Sequence, residues 1–276
     1  MYRGGSIRLI TLEIESGLIK LVVVDNYFGK LNIRLSKILE CEEISSINTI
    51  TNIEKVSKLI KNEISNIKLP FSRVAYLVQN ESIINRNIKI INTDHKEDIQ
   101  GLIKYELNQY MPINMDDYIL KYKFLGIESD KINTQVILMP KIISQNYKEL
   151  SKSLKLKPIK LGVNFNILQT LIDKKIICLD NNVNIILDIK KNITNVNIIK
   201  DKLVVSSHSV KNNNTLEFIN NNIKEFKNIY YYGTNNDKFV NSLGNEINIS
   251  KLSLCNIDCF NYKNLNNFVG NIGLVY

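Results

Sequence analysis

The sequence is poor in the residues that build metal centres and nucleophilic active sites. Its 276 residues include two histidines, four cysteines and no tryptophan. The cysteines form no CxxC pair, and neither histidine stands in a Cys, Ser or Asp motif. This pattern excludes a Cys/His zinc cluster, and we expect reduced thiols. The residues in question are Cys41, Cys178, Cys255, Cys259, His95 and His208.

Long apolar runs are missing as well. The longest, such as Leu21–Val24, last four or five residues, whereas a transmembrane helix needs about 20. The first residues carry charges but no extended apolar segment, so we expect no signal peptide. Hydrophobic residues make up 44% of the chain and charged residues 23%, the balance of a soluble globular protein. We therefore expect a cytoplasmic protein without direct membrane insertion.

The net charge of +9 raises the question of an anionic partner. The lysines are spread along every segment, and the sequence has no dense Lys/Arg run with interleaved aromatic residues, which nucleic-acid binding would favour. The abundance of Ile, Asn and Lys together indicates an AT-rich genome, which accounts for the lysines without a ligand. We predict no nucleic-acid partner, while weak attraction to an anionic membrane surface stays open.

Two parts of the chain predict the same β-β-β-α-β order, which indicates an internal duplication. LEIESGLIKLVVV (12–24) aligns with LDIKKNITNVNII (187–199) and puts Glu13 and Asp188 at equivalent positions. Chance likeness of short β-rich runs is the alternative. The predicted elements are strands 8–14, 18–24 and 31–35, helix 53–66 and strand 73–79, then strands 184–189, 193–199 and 202–206, helix 215–226 and strand 228–232.

Between the repeats lies a block of different order, β-α-β-β-α, which predicts a small α+β unit. Its elements are strand 82–91, helix 96–110, strands 118–125 and 134–139, and helix 142–154. The helix over 96–110 carries one apolar face, made of Ile99, Leu102, Ile103, Leu107 and Tyr110. We predict a first half-domain over 1–81, an inserted subdomain over 82–157, a return and connecting helix over 158–180, and a second half-domain over 181–276.

Two β-β-β-α-β halves with an insertion are the layout of the actin-like fold, a duplicated, ribonuclease H-like α/β fold with nucleotide between the halves. Within that group the chain resembles the PilM family of type IV pilus assembly proteins. The likeness covers most of the chain and rests on the order of several segments. These are Ile103–Glu106, Gln109–Pro112, Asp116, Asp117 and the strand YILKYKFLG (118–126), followed by TQVILMPK (134–141) and LKLKPIKLGVNFNILQTL (154–171).

The resemblance implies a cytoplasmic scaffold of the pilus inner-membrane platform. Such a scaffold binds the N-terminal cytoplasmic tail of a PilN-like membrane protein, in a groove between the inserted subdomain and the first half-domain, and other platform components are further candidate partners. Tyrosines suit a peptide site because they join an apolar face to a hydrogen-bonding tip, although core and rim packing is the alternative. A proline ends the preceding helix. The candidate residues are Tyr105, Glu106, Tyr110, Pro112, Tyr118 and Tyr122.

The same resemblance places two phosphate hairpins at Glu13–Gly17 and Asp188–Asn192. Actin-like hairpins read Asp-x-Gly followed by small residues, because glycine lets the backbone approach phosphate and the acid holds magnesium through water. Here Glu15 and Lys190 replace the glycine, although Lys190 and Lys191 could attract phosphate as point charges. The candidate residues of a vestigial nucleotide site are Glu13, Ser16, Gly17, Lys20, Asp188, Thr194 and Gly233.

Two further departures weaken the nucleotide site. Gly233-Thr234-Asn235 replaces the Gly-Gly run of the adenosine loop, and the stretch SHSVKNNN (207–214) predicts a polar loop where a full actin-like second half inserts a subdomain. No P-loop motif is present. We predict a scaffold without enzymatic activity, catalytic residues, metal or cofactor. The alternative is an active actin-like protein that binds ATP and Mg with atypical phosphate loops.

Overall fold

The structure, a computed structural model, describes residues 7–27, 30–45, 49–67, 73–78, 82–93, 98–111, 113–223, 225–233, 237–255, 257, 259–260 and 265–276. Contacts between Cα atoms divide the chain into two compact units. The first, here called the main unit, is Met1–Gln79 with Tyr147–Tyr276, and the second, the inserted unit, is Asn80–Asn146.

The helices and strands follow one another in an order that repeats. They are β1 (Ile7–Glu15), β2 (Leu18–Tyr27), β3 (Lys30–Glu40), α1 (Ile53–Ser65), β4 (Arg73–Val78), β5 (Ile84–Ile91), α2 (Ile99–Tyr110), β6 (Tyr118–Glu128), β7 (Lys131–Pro140), α3 (Lys141–Leu154), β8 (Lys157–Val163), α4 (Asn164–Asp173), β9 (Asn184–Ile189), β10 (Ile193–Lys200), β11 (Leu203–Lys211), α5 (Thr215–Asn222), β12 (Asn228–Gly233), α6 (Asp237–Glu246), β13 (Ile249–Lys251), β14 (Cys259–Phe260) and α7 (Val269–Gly273).

The described part of the main unit contains two sheets of matching topology. The first has the order β14-β3-β2-β1-β4-β8 and the second β11-β10-β9-β12-β13. In each, three consecutive strands form an antiparallel meander, and the first of them pairs in parallel with the strand that follows the helix. Glu13 lies opposite Lys20, and Asp188 lies opposite Asn195. The two hairpins thus share one register, and the predicted duplication is confirmed.

Central strands of the main unit are buried on both faces, which explains why their sequences are nearly continuous apolar runs rather than alternating ones. All six residues of β9 are buried, as are the last five of β4. Helix α4 packs against β8 of the first sheet and β11 of the second. It buries seven of its ten residues, so it forms part of the core that both sheets share.

The inserted unit is a three-stranded antiparallel sheet of order β5-β7-β6 with α2 packed on it. Ile99, Ile103 and Leu107 of α2 are buried against Val136 and Leu138 of β7, as the spacing of the sequence predicts. The prediction that Tyr110 shares this face is wrong. Its side chain is 73% exposed, although Leu107 in the same last turn of α2 is buried.

The predicted polar loop at 207–214 is also wrong, because β11 continues through it to Lys211. Its polar side chains find partners on the neighbouring strand β10. The hydroxyl of Ser207 donates to Asn197 Oδ1 and that of Ser209 to Asn195 Oδ1, each at 2.8 Å. A single 3-10 turn, Asn212–Asn214, then connects β11 to α5.

Other boundaries shift for local reasons. Helix α5 ends at Asn222 rather than at residue 226, since three consecutive asparagines favour helix ends and Ile223 is extended with φ −126° and ψ 96°. Strand β3 runs to Glu40 rather than to residue 35 because it pairs with β2 along its whole length. The predicted helix start at residue 96 lies outside the described residues. Residues 237–276, for which the sequence predicts no element, add α6, β13, β14 and α7.

Candidate functional site

A buried cluster of five charged side chains lies where the two sheets of the main unit meet. Glu13 and Glu15 come from β1, Lys20 from β2, Asp188 from β9 and Lys190 from the turn after β9. Each of the five is at most 3% exposed. Charged side chains are this fully buried only when oppositely charged groups or metals accompany them. The cluster occupies the two hairpins in which the resemblance places the phosphate site.

Lys190 contacts carboxylates from both sheets. Its Nζ forms its shortest ion pair with Glu13 Oε1 and lies 3.1 Å from Asp188 Oδ2 and 3.4 Å from Glu15 Oε2. Lys20 approaches the same glutamates from β2, with its Nζ 3.1 Å from Glu15 Oε1 and 3.5 Å from Glu13 Oε2. Three carboxylates thus surround two ammonium groups, and Lys190 joins the first sheet to the second.

The electrostatics of the cluster favour a charged Lys190. Burial lowers the pKa of its ammonium group, but Asp188, Glu13 and Glu15 outweigh this and raise the pKa of Lys190 well above its ordinary value. Burial raises the pKa of Asp188, and the ammonium group of Lys190 offsets part of this rise. Lys190 therefore holds a permanent positive charge that the surrounding carboxylates neutralise.

Polar side chains from three further segments complete the surroundings of Asp188. Asn164, the first residue of α4, donates from Nδ2 to Asp188 Oδ2 at 2.5 Å and to the hydroxyl oxygen of Tyr232 at 2.9 Å. Asn195 donates to the same Asp188 oxygen at 3.1 Å. Burial raises the pKa of the Tyr232 hydroxyl well above its ordinary value, and the negative charge of Asp188 adds to this effect. The carboxylate is thus held by neutral donors as well as by Lys190.

One backbone amide in the turn of each hairpin already has a partner. Gly17 N–H donates to Ile44 O at 3.2 Å, and Lys190 N–H donates to Ile193 O at 2.9 Å. The side-chain Nδ2 of Asn212 closes the second turn by donating to the main-chain oxygens of Lys190 and Lys191 at 3.1 and 3.2 Å. A phosphate cradle needs such N–H groups free and open to the ligand. The amides of Gly17 and Lys190 are therefore not free to bind phosphate.

Helix α7 lies over the first hairpin at very short range. A Cβ atom on Gly270 would lie 3.3 Å from Glu13 Oε2 and 2.3 Å from Leu77 Cδ2. The chain can approach this closely only because residue 270 is glycine. The cluster is therefore covered by protein on the side of α7.

The predicted nucleotide residues divide between the cluster and its surroundings. Glu13, Lys20 and Asp188 meet in the cluster. Thr194 is buried on β10, next to Asn195, and its hydroxyl donates to Asn212 Oδ1 at 2.9 Å. Ser16 and Gly17 form the half-buried turn between β1 and β2. Gly233 ends β12 beside Ile189, with φ +119°. The sequence offered Lys190 as a point charge for phosphate; the structure places its ammonium group in ion pairs with Glu13, Glu15 and Asp188.

The predicted peptide residues all belong to the inserted unit. Tyr105, Tyr110 and Tyr122 are exposed by 66%, 73% and 38%. Glu106 is half-buried, and Tyr118 packs against the core of the inserted unit. Tyr105 and Tyr110 stand five residues apart on α2, about 140° around its axis, so they do not share one face. Pro112 lies outside the described residues.

Two features of the inserted unit bear on peptide binding. Tyr122 and Phe124 form an edge-to-face pair on the edge strand β6, with ring centroids 5.7 Å apart, and Phe124 is 49% exposed. A separate open pocket of about 560 Å³ lies where residues 113–118 meet residues 140–145 of the inserted unit. Its lining residues are Ile113, Asn114, Asp117, Tyr118, Pro140, Lys141, Ile142 and Gln145.

Three polar residues around the cluster were not predicted from the sequence. Asn164, Tyr232 and Asn195 were not candidates, although Asn195 aligns with Lys20 in the two repeats. That alignment was the signal available for Asn195. Asn164 lies 24 residues from its partner Asp188 in the sequence, and Tyr232 lies 68 residues from its partner Asn164. No local pattern connects residues this far apart.

The described residues contain no group of three or more His, Cys, Asp or Glu side chains arranged to hold a metal ion. None of the helices within the described ranges is long and apolar enough to span a membrane.

Comparison with known proteins defines the class of this fold. No family model matches the sequence, and no curated protein matches it. A solved structure from Bacteroides thetaiotaomicron, described as a protein with actin-like ATPase fold and unknown function, aligns over 97% of this chain and 95% of its own, with a TM-score of 0.53 and 11% identity. The chain has an actin-like α/β fold with an inserted α+β unit, as the sequence predicts.

Greater similarity is found to a pilus protein. A chain of the PilM-PilN type IV pilus biogenesis complex aligns over 97% of both chains, with a TM-score of 0.79 and 14% identity. The cytoplasmic domain of EpsL, an inner-membrane component of the type II secretion system of Vibrio cholerae, aligns over 98% of this chain and 94% of its own, with a TM-score of 0.58 and 10% identity. The fold is thus PilM-like, and the likeness inferred from residues 103–126 is confirmed at the level of the fold.

Proposed function

We propose that this chain is a cytoplasmic scaffold of a type IV pilus inner-membrane platform, which binds the N-terminal cytoplasmic tail of a PilN-like membrane protein and does not bind ATP. The similarity of nearly the whole chain to a PilM-PilN complex supports the partner class. The similarity to EpsL supports a place beside an inner-membrane machine. We propose no enzymatic activity for the chain.

The ion cluster is the observation that argues against ATP binding. In an actin-like ATPase the acids of the two hairpins face magnesium and phosphate. Here Glu13 and Asp188 face the ammonium of Lys190, and the side chains of both are at most 3% exposed. ATP binding would have to displace Lys190 and leave its charge buried without partners, a change that costs several kcal/mol.

The surface that best supports peptide binding is the exposed edge of the inserted unit. Strand β6 is an edge strand, so one side of its backbone is open to an added strand. The exposed rings of Tyr122 and Phe124 lie on this strand and offer a large apolar area. Lys121 and Lys123 alternate with them and are exposed as well. An extended tail with alternating apolar side chains would fit this strand.

Titration with the labelled N-terminal tail of a PilN-like protein tests the partner. We expect saturable binding by fluorescence anisotropy, weakened by at least about 1 kcal/mol in Tyr122→Ala, since a few aromatic residues dominate small interfaces. Tyr110→Ala is tested in parallel as a second candidate. Lys191→Ala, a change of an exposed residue in the main unit, is the control and should bind as the unchanged protein does. A tail that does not bind the unchanged protein would refute the proposed partner.

Calorimetric titration with Mg-ATP tests the second part of the proposal. We expect no affinity tighter than about 1 mM, which corresponds to about −4 kcal/mol. Micromolar binding would instead support the alternative, an ATP-binding actin-like protein with atypical phosphate loops.

A further inference from the structure

A basic surface lies on the main unit where helix α3 leads into strand β8. Residues 147–160 contain five lysines and one glutamate, a net charge of +4 in a chain whose total is +9. No ion pair of these lysines is found in the described part of the chain. Four of them are exposed and are here called the basic face: Lys148, Lys152, Lys155 and Lys157.

Helix α3 holds the basic face in a fixed position. Lys148 and Lys152 are four residues apart, so they lie on the same side of the helix. The other side is buried against β4, where the ring of Tyr147 meets that of Tyr76 edge to face and the hydroxyl of Ser151 shares a hydrogen bond of 2.8 Å with the hydroxyl of Tyr76. A firmly packed helix thus directs these lysines to solvent.

The basic face lies on the opposite side of the first sheet from the ion cluster. Neighbouring residues of a strand point to opposite faces of its sheet, so Tyr76 and Leu77 mark the two faces of β4. Tyr76 contacts α3, whereas Leu77 lies beneath Gly270 of α7, the helix that covers the cluster. A ligand can therefore reach the basic face without entering the region between the two sheets.

Lys155 has a backbone conformation that lysine rarely adopts, with φ +58°. Its N–H donates to Lys152 O, and the N–H of Leu156 donates to Ser151 O, each at 3.0 Å. This is the helix end at which glycine is the usual residue, because a side chain there is strained. The exposed ammonium group of Lys155 thus stands at a position where glycine would be more stable.

One large apolar side chain is exposed beside these lysines. Ile159 is 46% exposed on β8, the last strand of the first sheet. Val74 pairs with Pro158 and Ala75 with Lys160, so Ile159 is the extra residue of a β-bulge. A bulge changes the direction of a side chain, and here it presents an isoleucine next to Lys157.

We propose that the basic face binds the surface of a membrane rich in anionic lipids, with its lysines at the headgroups and Ile159 in the interfacial layer. Lysines attract such a surface without defined geometry, and each contributes a factor of about five to the affinity. Membrane contact of this kind adds a second attachment to the one proposed through the tail, and it needs no partner protein.

The composition of this surface favours lipid over an acidic protein or a nucleic acid. Residues 147–160 contain no arginine, the side chain that suits bidentate recognition of carboxylates and phosphates. The exposed apolar side chain is aliphatic, whereas proteins that bind single-stranded nucleic acids stack bases on aromatic rings. Lysines around one aliphatic side chain match a surface with negative headgroups above an apolar layer.

Sedimentation of the full chain with lipid vesicles, without a partner, tests the proposal. We expect binding to vesicles of phosphatidylglycerol and phosphatidylcholine, its loss at high salt, and no binding to phosphatidylcholine alone. Lys148→Gln combined with Lys152→Gln should weaken binding about 25-fold. The matched control, Lys191→Gln combined with Lys211→Gln, removes the same charge from exposed positions beside the second sheet and should weaken it by less than about twofold.

Two single changes separate membrane contact from folding. Lys155→Gly should raise the melting temperature, because glycine suits a φ of +58°, and yet should weaken vesicle binding about fivefold. Ile159→Ala should weaken vesicle binding about threefold or more, because it removes apolar area from the interface. A loss of binding in a more stable variant has no explanation in misfolding.

Three results would each overturn the proposal: equal binding to neutral vesicles, equal weakening by the two double changes, or no binding of the unchanged protein. Binding of duplex DNA in place of vesicles, weakened by Lys148→Gln with Lys152→Gln, would assign the basic face to nucleic acid and overturn it too. Tail titration contains no lipid and the vesicle assay contains no tail. Failure of one therefore leaves the other proposal standing.

Discussion

Asn271 donates hydrogen bonds from its Nδ2 to the main-chain oxygens of Thr11 and Lys20, each at 3.1 Å, across sequence separations of 260 and 251 residues. The donor lies on α7, and the two acceptors lie on the neighbouring strands β1 and β2. Asn271 is fully buried, as is Thr11. One side chain therefore fixes α7 to the sheet that carries Glu13, Glu15 and Lys20.

We expect Asn271→Ala to lower the free energy of unfolding by about 1–3 kcal/mol, because it leaves buried carbonyl groups with fewer donors. Urea unfolding followed by circular dichroism measures the change. Asn166→Ala is the matched control, since Asn166 is an exposed asparagine on helix α4 and should lose no stability. Equal stability of Asn271→Ala and the unchanged protein would show that α7 does not depend on this side chain.

Gly233 should tolerate no larger residue. Its φ is +119°, and a Cβ atom would lie 2.2 Å from the main-chain oxygen of Ile189 on the neighbouring strand. We expect Gly233→Ala to cost at least about 2 kcal/mol of stability, from backbone strain and the forced separation of β12 from β9. Gly101 on α2 has nothing within 4 Å of its Cβ position, so Gly101→Ala should instead stabilise by up to about 1 kcal/mol. The opposite order of the two melting temperatures would contradict this interpretation.

Leu107 holds α2 on the sheet of the inserted unit. It is 2% exposed and packs in the cluster with Ile103 and Val136. We expect Leu107→Ala to destabilise the inserted unit by about 2–5 kcal/mol, as measured by denaturant unfolding or by hydrogen exchange of α2 amides. Tyr110→Ala, three residues further on but 73% exposed, should change stability by no more than about 0.5 kcal/mol. Similar effects of the two changes would mean that the helix is rotated about its axis.

Ionisation of Tyr76 should lower the free energy of unfolding at high pH. Burial raises the pKa of Tyr76 to about 12, although its hydroxyl shares a hydrogen bond of 2.8 Å with Ser151. A folded-state pKa above the ordinary value of 10.0 stabilises the fold below pH 10, and this contribution is lost as the pH rises towards 12. At pH 11 the loss should be about 1.4 kcal/mol.

Urea unfolding at pH 9 and pH 11 measures this dependence. Tyr76→Phe should lose less stability between the two pH values than the unchanged protein. Tyr105→Phe, in which the altered ring is exposed, is the control and should keep the dependence of the unchanged protein. If Tyr76→Phe lost as much as the unchanged protein, other groups would have to account for the alkaline instability.

The duplicated fold could be predicted because its signal is local. In each repeat a short turn sets the register of a hairpin, so the alignment of Glu13 with Asp188 already implied equivalent pairs with Lys20 and Asn195. The face of α2 could be predicted for the same reason, since it follows from a 3.6-residue period. Strand β11 could not, because its serines read as a loop until their partners on β10 are known.

The sequence indicated only some of the residues of the ion cluster and not their contacts. Glu15 and Lys190 stood out as the wrong residues for a phosphate hairpin, but two separate departures do not reveal that one side chain contacts the other. Their pairing depends on how the two sheets meet, which is set by packing of α4 and α7 far along the chain. Residues whose role arises from distant segments, such as Asn164 and Asn271, carry no local signal.

The attachment of α7 also affects how the protein folds. Strands β1 and β2 leave the ribosome well before helix α7, which covers them and ends at residue 273. The first sheet must therefore remain incompletely covered while more than two hundred residues are synthesised, with its apolar face accessible to chaperones or to other unfolded chains. Contacts of such long range also slow refolding, since loop closure precedes the gain from packing. Refolding of the main unit should accordingly be limited by docking of α7 rather than by formation of the hairpins.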